Sequence, residues 1–284
     1  MSTNRSGVVR RQRTAGVAAV LAAIAALLFG TSAASAATPY PNSIASTGDS
    51  ITRAYNTGSA FADNPAASWS TGTNSTVVSH YTRLIGLNPA INGHAFNDAK
   101  SGARMVDLTG QLATVSGQNV DYVTVLMGGN DVCQPSESAM TPVADFSAQF
   151  SNAMATFTAA SPNTNVYVVS IPNVYNLWSV LKNNSLARFI WAIGGVCQSM
   201  LARPTSTQTA DVQRRARVLQ REVDYNSALA TICAQYTRCR FDGNAVFGIT
   251  FVASDVSTRD YFHPSLSGQK KLAAVSWSAG YWGP

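Results

Sequence analysis

Only three histidines, His80, His94 and His263, occur in the 284 residues, so candidates for a general base can be taken in turn. His80 lies in a helix-like stretch beside Tyr81 and reads as a packing or surface residue. His94 lies in an ill-defined strand with no acidic residue three or four positions before it. His263 stands in Asp260-Tyr261-Phe262-His263-Pro264. On a turn, that offset puts a carboxylate against an imidazole, where it selects the tautomer and stabilises the imidazolium. His263 is the expected base and Asp260 its orienter; a capping Asp and a surface His before Pro are the plain alternative. A nucleophile candidate follows an apolar run, in Gly48-Asp49-Ser50. Glycine permits a sharp turn. A serine that opens a helix sits where backbone N–H groups and the dipole favour developing negative charge. Asp49 or Ser50 as a helix N-cap is the competing reading.

Two further blocks have donors to offer. In Gly128-Gly129-Asn130-Asp131 the glycines let backbone approach a ligand and the Asn130 amide can donate to an oxyanion; a capped strand-to-helix turn has the same composition. In Ser101-Gly102-Ala103 the glycine N–H can point into the same crevice, or the residue is simply a loop glycine. A nucleophile, two oxyanion donors and an orienter–base pair are what acyl transfer needs.

These residues need a scaffold that brings them together. Apolar runs at 43–47, 91–99, 122–127, 166–171 and 240–247 read as strands, with helix-like periodicity near 77–86, 104–115, 142–160, 207–236 and 265–278. Alternating strand and helix predicts an α/β domain with a mostly parallel sheet. Runs apolar at nearly every position, such as 122–127, fit strands covered on both faces. Ligands then bind beyond the carboxyl ends of the strands, and the candidate blocks at 48–50, 101–102 and 128–131 each follow a strand.

With Ser46-Thr47-Gly48-Asp49-Ser50, Ser101-Gly102, Gly128-Gly129-Asn130-Asp131 and Asp260 to Pro264 in that order, most of the chain resembles the SGNH hydrolases, the GDSL-type esterases and lipases, in their secreted bacterial form. The resemblance implies a three-layer α/β/α sandwich with about five parallel strands, similar to flavodoxin. It implies Ser50 as nucleophile, His263 as base then acid, and Asp260 as orienter. The Ser50 and Gly102 N–H groups with the Asn130 side chain would form the oxyanion hole. The activity implied is hydrolysis of carboxylic esters through an acyl-serine, without metal or organic cofactor. The G-x-S-x-G elbow of the α/β-hydrolases is absent. The stretch 64–72, Asn-Pro-Ala-Ala-Ser-Trp-Ser-Thr-Gly, also looks like one in secreted bacterial and phospholipase-B-like members.

The formal charge of +6, from 20 basic and 14 acidic residues, would ordinarily raise nucleic acid or an anionic membrane as a partner. It is largely local. Arg5, Arg10, Arg11 and Arg13 precede an apolar run from Ala15 to Phe29 and Ala34-Ser35-Ala36, the pattern of a secretory signal peptide. The run is shorter than the ~20 residues of a membrane span. Residues 1–36 are therefore expected to be removed, leaving a single hydrolase domain at 37–284 that carries +2 and acts outside the cell as a monomer, without a stable membrane anchor or nucleic acid. Arg214-Arg215-Ala216-Arg217 is expected on a solvated helix face. In an oxidising compartment four cysteines suggest two disulfides, Cys233–Cys239 closing a local loop and Cys133–Cys197 the other; a zinc site lacks any C-x-x-C.

Substrate rests on one apolar segment, 173–201, which is expected to be either an acyl-binding wall or lid or an ordinary packed helix pair. The expected substrate is an acyl ester, a lipid or phospholipid. A carbohydrate deacetylase acting on acetylated small molecules or polysaccharides is the alternative within the enzyme class, and a non-catalytic secreted binding module the alternative outside it.

Overall fold

The computed structural model describes residues 1–4, 7 and 38–284; the expected signal peptide lies almost wholly outside the described residues. The chain divides into Met1–Thr38 and Pro39–Pro284, and the second unit holds every element below. Five strands pair in parallel throughout, in the order β2-β1-β3-β4-β5: β1 (Ile44–Gly48), β2 (Ala95–Asn97), β3 (Tyr122–Leu126), β4 (Asn165–Val168) and β5 (Cys239–Phe241). All residues of β1 and β3 are buried, as strands covered on both faces must be. Their few polar groups are satisfied: Ser46 Oγ lies 2.9 Å from Thr71 Oγ1, and Ser70 Oγ 2.7 Å from Thr124 Oγ1.

The principal helices are α1 (His80–Leu87), α2 (Leu108–Gln118), α3 (Val143–Ala160), α4 (Val174–Leu181), α5 (Ser185–Ile193), α6 (Thr209–Cys233) and α7 (Leu266–Ala279). Alternate strand residues feed two cores. Ala45, Val123, Val125, Val166 and Val168 pack with α2, α3 and α6. Ile44, Tyr122, Leu126 and Tyr167 pack with Leu84 of α1 and Leu272 and Trp277 of α7. The result is a three-layer α/β/α arrangement.

Several expected features differ. Of 91–99, only three residues pair, after a 3-10 turn at Pro89–Ile91. Of 240–247, pairing stops at Phe241 because the Asp242 carboxylate accepts from Asn244 and Val246 N–H, and Gly243 and Asn244 adopt left-handed φ of 65° and 67°. Both are edge strands, with one neighbour each. Ser50 opens no helix. Residues 50–56 form successive turns, with left-handed φ at Ala54 (49°) and Asn56 (62°), which an α-helix cannot absorb. The basic cluster of α6 is a solvated face only in part: Arg217 is exposed, but Arg215 is not. Arg215 is 3% exposed, its guanidinium 4.5 Å from the Trp178 ring, and donates to the Ser206 carbonyl. Both expected disulfides are present, Cys133–Cys197 and Cys233–Cys239.

Candidate active site

Gly48 ends β1 at φ 143°, and a Cβ there would lie 2.4 Å from the Leu126 carbonyl. Only glycine lets the chain turn this close to β3. The Gln111 side chain fixes the turn from α2, accepting from Gly48 N–H at 2.7 Å and donating to its carbonyl at 2.9 Å. The turn presents Ser50, whose Oγ is 2.7 Å from His263 Nε2. Asp49 makes the local cap instead, its carboxylate accepting from Ile51 N–H at 2.9 Å. From α7, Gln269 donates to the Ile51 carbonyl at 2.7 Å and accepts from Trp69 N–H at 3.0 Å. Trp69, in the 64–72 stretch, is thereby packed beneath the nucleophile turn.

On the opposite side, Tyr261 takes a left-handed φ of 53°, and this reversal turns Asp260 back toward His263. His263 Nδ1 is 2.5 Å from Asp260 Oδ2. Asp260 Oδ1 accepts from Phe262 and His263 N–H at 2.9 and 3.1 Å, and Asn56 Nδ2 donates to Oδ2 at 2.6 Å. Burial alone would push this carboxyl up. The His263 hydrogen bond and charge, with the Phe262 and Asn56 donors, outweigh burial and hold it below the usual carboxylate range. Asp260 is therefore held as a carboxylate beside the imidazole, and the Ser50 hydroxyl has a route for its proton.

Gly128 (φ 125°) ends the β3 crossing, where a Cβ would meet Ile171 Cδ1 at 2.4 Å. Asn130 follows on the helical turn Gly129–Val132. Its Nδ2 donates to the Ala103 carbonyl at 2.9 Å, which uses one of two amide hydrogens. Asp131, one residue on, accepts from Met105 N–H and Thr141 Oγ1, both at 2.8 Å. Gly102 has φ 85° and open space around its missing Cβ, so backbone angle rather than crowding calls for glycine. Among the described residues nothing accepts from the Ser50 or Gly102 N–H. Ser50, Asn130 and His263 line one cleft; Gly102 is outside its lining and is tied to it through Ala103 and Asn130.

The cleft walls are apolar: Ile171, Val174, Leu177, Phe251 and Phe262. Of the segment 173–201, only its beginning, Asn173 to Leu177, reaches the cleft. In the rest, Trp178, Leu181, Ala187 and Trp191 are packed, whereas Leu186, Phe189 and Ile193 of α5 are exposed. Trp178 Nε1 donates to the Pro204 carbonyl at 2.8 Å and Trp191 Nε1 to the Tyr261 carbonyl at 3.0 Å. From α6, Asn226 accepts from Ile171 N–H at 2.9 Å and Glu222 from Val174 N–H at 3.2 Å, which sets the wall in place. Burial pushes the Glu222 carboxyl well up.

The other histidines are elsewhere. His80 is buried among Trp69, Tyr122, Tyr167 and Trp277, within 2.8 Å of Ser276 Oγ, and burial lowers its pKa to about 3. His94 is exposed. Among the described residues, no group of three His, Cys, Asp or Glu side chains could hold a metal ion. Sequence reasoning overlooked Asn56, Gln111, Gln269, Glu222 and Asn226. A signal existed for two of them, since Glu222 and Asn226 interrupt the apolar stripe Val218, Tyr225, Leu229 of α6, and a polar residue there must be bonded.

Residues 44–275 match the family model described as GDSL-like Lipase/Acylhydrolase. No curated protein matches the chain. Among solved structures, TesA is similar with 15% identity, 84% of this chain and 97% of that chain covered, and TM-score 0.49. Phospholipase A1 from Streptomyces albidoflavus NA297 shares 17% identity over 80% of this chain and 94% of that chain, with TM-score 0.47. The acetyl xylan esterase AlAXEase shares 15% over 84% and 98%, with TM-score 0.41.

Proposed function

The chain belongs to the GDSL-like lipase/acylhydrolase family, and we propose that it hydrolyses carboxylic esters of lipid character through an acyl enzyme on Ser50. The observation that carries the reading is the unbroken relay from Ser50 Oγ to His263 to Asp260, at 2.7 and 2.5 Å, opening on a cleft with apolar walls. His263 Nε2 takes the Ser50 proton as Oγ bonds to the carbonyl carbon. The resulting oxyanion is met by the Ser50 and Gly102 N–H groups and the remaining Asn130 amide hydrogen. Collapse breaks the ester C–O bond, and the leaving alcohol takes the proton from His263. Water then repeats the sequence, with His263 as base, and releases the acid and free Ser50. Asp260 keeps the ring oriented and offsets the imidazolium charge without taking the proton.

The acyl chain lies along Ile171, Val174, Leu177, Phe251 and Phe262. Residues 1–36 are an export signal that is removed, and residues 37–284 act outside the cell. The two disulfides suit an oxidising compartment. Among the described residues no helix is long and apolar enough to cross a membrane.

The test is labelling with a fluorophosphonate, together with hydrolysis of p-nitrophenyl esters from acetate to palmitate and of a phospholipid. Wild type should label at Ser50 and prefer medium or long chains. Folded Ser50→Ala should neither label nor turn over. Activity retained in that variant would end the assignment, and a sharp preference for acetate would replace lipid by the deacetylase reading.

A further inference from the structure

We propose that Asn56 is a positioning residue for this reaction, holding the Asp260 carboxylate, and through it the His263 ring, in register with the turn that carries Ser50. The inference rests on the site reading above and adds a residue to it. Asn56 is 2% exposed and its backbone is left-handed at φ 62°, a conformation that asparagine tolerates better than most residues. Every polar group it has is used. Its N–H donates to the Ala62 carbonyl at 3.0 Å and its Oδ1 accepts from Phe61 N–H at 2.5 Å, both within its own loop. Its carbonyl accepts from Ser257 Oγ at 2.8 Å and its Nδ2 donates to Asp260 Oδ2 at 2.6 Å, both on the loop that carries His263.

One residue earlier, Tyr55 N–H donates to the Ser50 carbonyl at 3.0 Å. Asn56 is thus linked to the nucleophile turn through its neighbour Tyr55 and bonded directly to the orienting carboxylate, 204 residues away. Asp260 Oδ2 accepts from both His263 Nδ1 and Asn56 Nδ2, so rotating the carboxylate would break the amide bond as well as the imidazole bond. A neutral amide is suited to this place. It donates without competing for the imidazole proton and takes up part of the charge on Oδ2. Without it, Asp260 would bind the imidazolium more tightly, and His263 would shed its proton at higher pH. The other charged groups around His263 are Asp49 and, across the cleft, Asp255 with its partner Lys271. All three stay in place in the variants below.

The experiment compares Asn56→Gly and Asn56→Asp with wild type, measuring kcat and KM on a short p-nitrophenyl ester from pH 5 to 9. Glycine keeps the left-handed backbone and removes the amide. Aspartate keeps the acceptor for Phe61 and turns an oxygen, not a donor, toward Asp260. Asn56→Gly should lower kcat roughly 10- to 100-fold, the range for losing a hydrogen bond to a charged group, with KM within about twofold. The acidic limb of kcat/KM should move to higher pH, further in Asn56→Asp. In an Asp260→Ala background, Asn56→Gly should cost less than about threefold, because the carboxylate it positions is gone. The pH at half-maximal fluorophosphonate labelling is independent of the amount of folded protein and reads the limb even where a variant folds poorly. An unmoved limb, or equal kcat losses in both backgrounds, would show a loop residue with only a structural role and overturn the proposal. If Ser50→Ala is inactive while the Asn56 variants behave as wild type, this inference alone falls. If Ser50→Ala is active, the site reading falls first.

Discussion

The Asn130 side-chain amide donates to the Ala103 carbonyl at 2.9 Å, so the loop after β3 is bonded to the residue that follows Gly102, in the loop after β2. Two of the three proposed oxyanion donors are thereby coupled. Asn130→Ala removes one donor outright and releases the loop that holds another. It should lower kcat by at least ~10²- to 10³-fold, the usual cost of one lost donor, with KM little changed. Steady-state kinetics on a p-nitrophenyl ester decide; a loss below tenfold would place the amide outside the oxyanion hole.

Among the described residues, Asp260 Oδ2 is the acceptor available to His263 Nδ1, and no backbone carbonyl shares that role. Asp260→Asn should therefore be nearly as damaging as His263→Ala, on the order of 10⁴-fold in kcat, because the amide favours the wrong tautomer. If the variant retained more than a tenth of wild-type activity, another group would have to be orienting the ring.

Val174 and Leu177 face the cleft, whereas Trp178 and Trp191 are bonded into the helix pair. Val174→Phe should shift chain-length preference toward shorter acyl groups by filling the wall. Trp191→Phe should lower turnover of all chain lengths together, because it loses only the bond to the Tyr261 carbonyl, two residues before His263. A p-nitrophenyl acyl series separates the two patterns, and a chain-length shift in Trp191→Phe would reassign α5 to the binding wall.

Asp260 and His263, in the loop before α7, were legible from their own spacing. The placement of Ser50, Gly102 and Asn130 was legible because each follows a strand, and parallel strands deliver their following loops to one edge. The buried runs around Ile44, Tyr122 and Val166 carried that signal. The partners that set the geometry were not legible. Asn56 meets Asp260 across 204 residues, and Gln111 meets Gly48 across 63, distances over which one sequence has no periodicity to read. The edge strands were overestimated because apolar residues near 91 and 246 serve the core from turns rather than from the sheet. The turn after β1 was misread because Ala54 is left-handed, and alanine is the residue that least announces such an angle.

The Cys133–Cys197 disulfide closes 64 residues and joins the end of the Gly129–Val132 turn to the segment after α5; Cys233–Cys239 closes only six. Loop-closure entropy assigns about 4 kcal/mol to the first and about 2 kcal/mol to the second. Cys133→Ser with Cys197→Ser should depress Tm by roughly 8–16 °C, about twice the effect of the other pair, given 2–4 °C per kcal/mol at this size. Differential scanning calorimetry of the two double variants checks the order. The reverse order would mean that the long loop is already restrained in the unfolded chain.

Asp49 is buried beside the nucleophile, and burial raises its carboxyl from 3.8 to about 6. A group whose folded pKa lies above its unfolded value binds protons more readily when folded, so ionising it opposes folding. That cost is fully present above pH 6, amounts to about 3 kcal/mol, and fades as pH falls toward 3.8. Asp49→Asn keeps an oxygen for the Ile51 N–H and removes the charge. The variant should therefore melt above wild type at pH 8, by less at pH 5, and together with it below pH 4. His80 works the other way, since its folded pKa of about 3 lies below that of a free imidazole and its burial destabilises the fold as pH drops below 6.5. It is the same in both proteins and cancels from the difference. Melting curves at pH 4, 5 and 8 carry the test, and a Tm difference that does not change with pH would show that Asp49 is not charged in the folded protein at pH 8 or is not the source of the penalty.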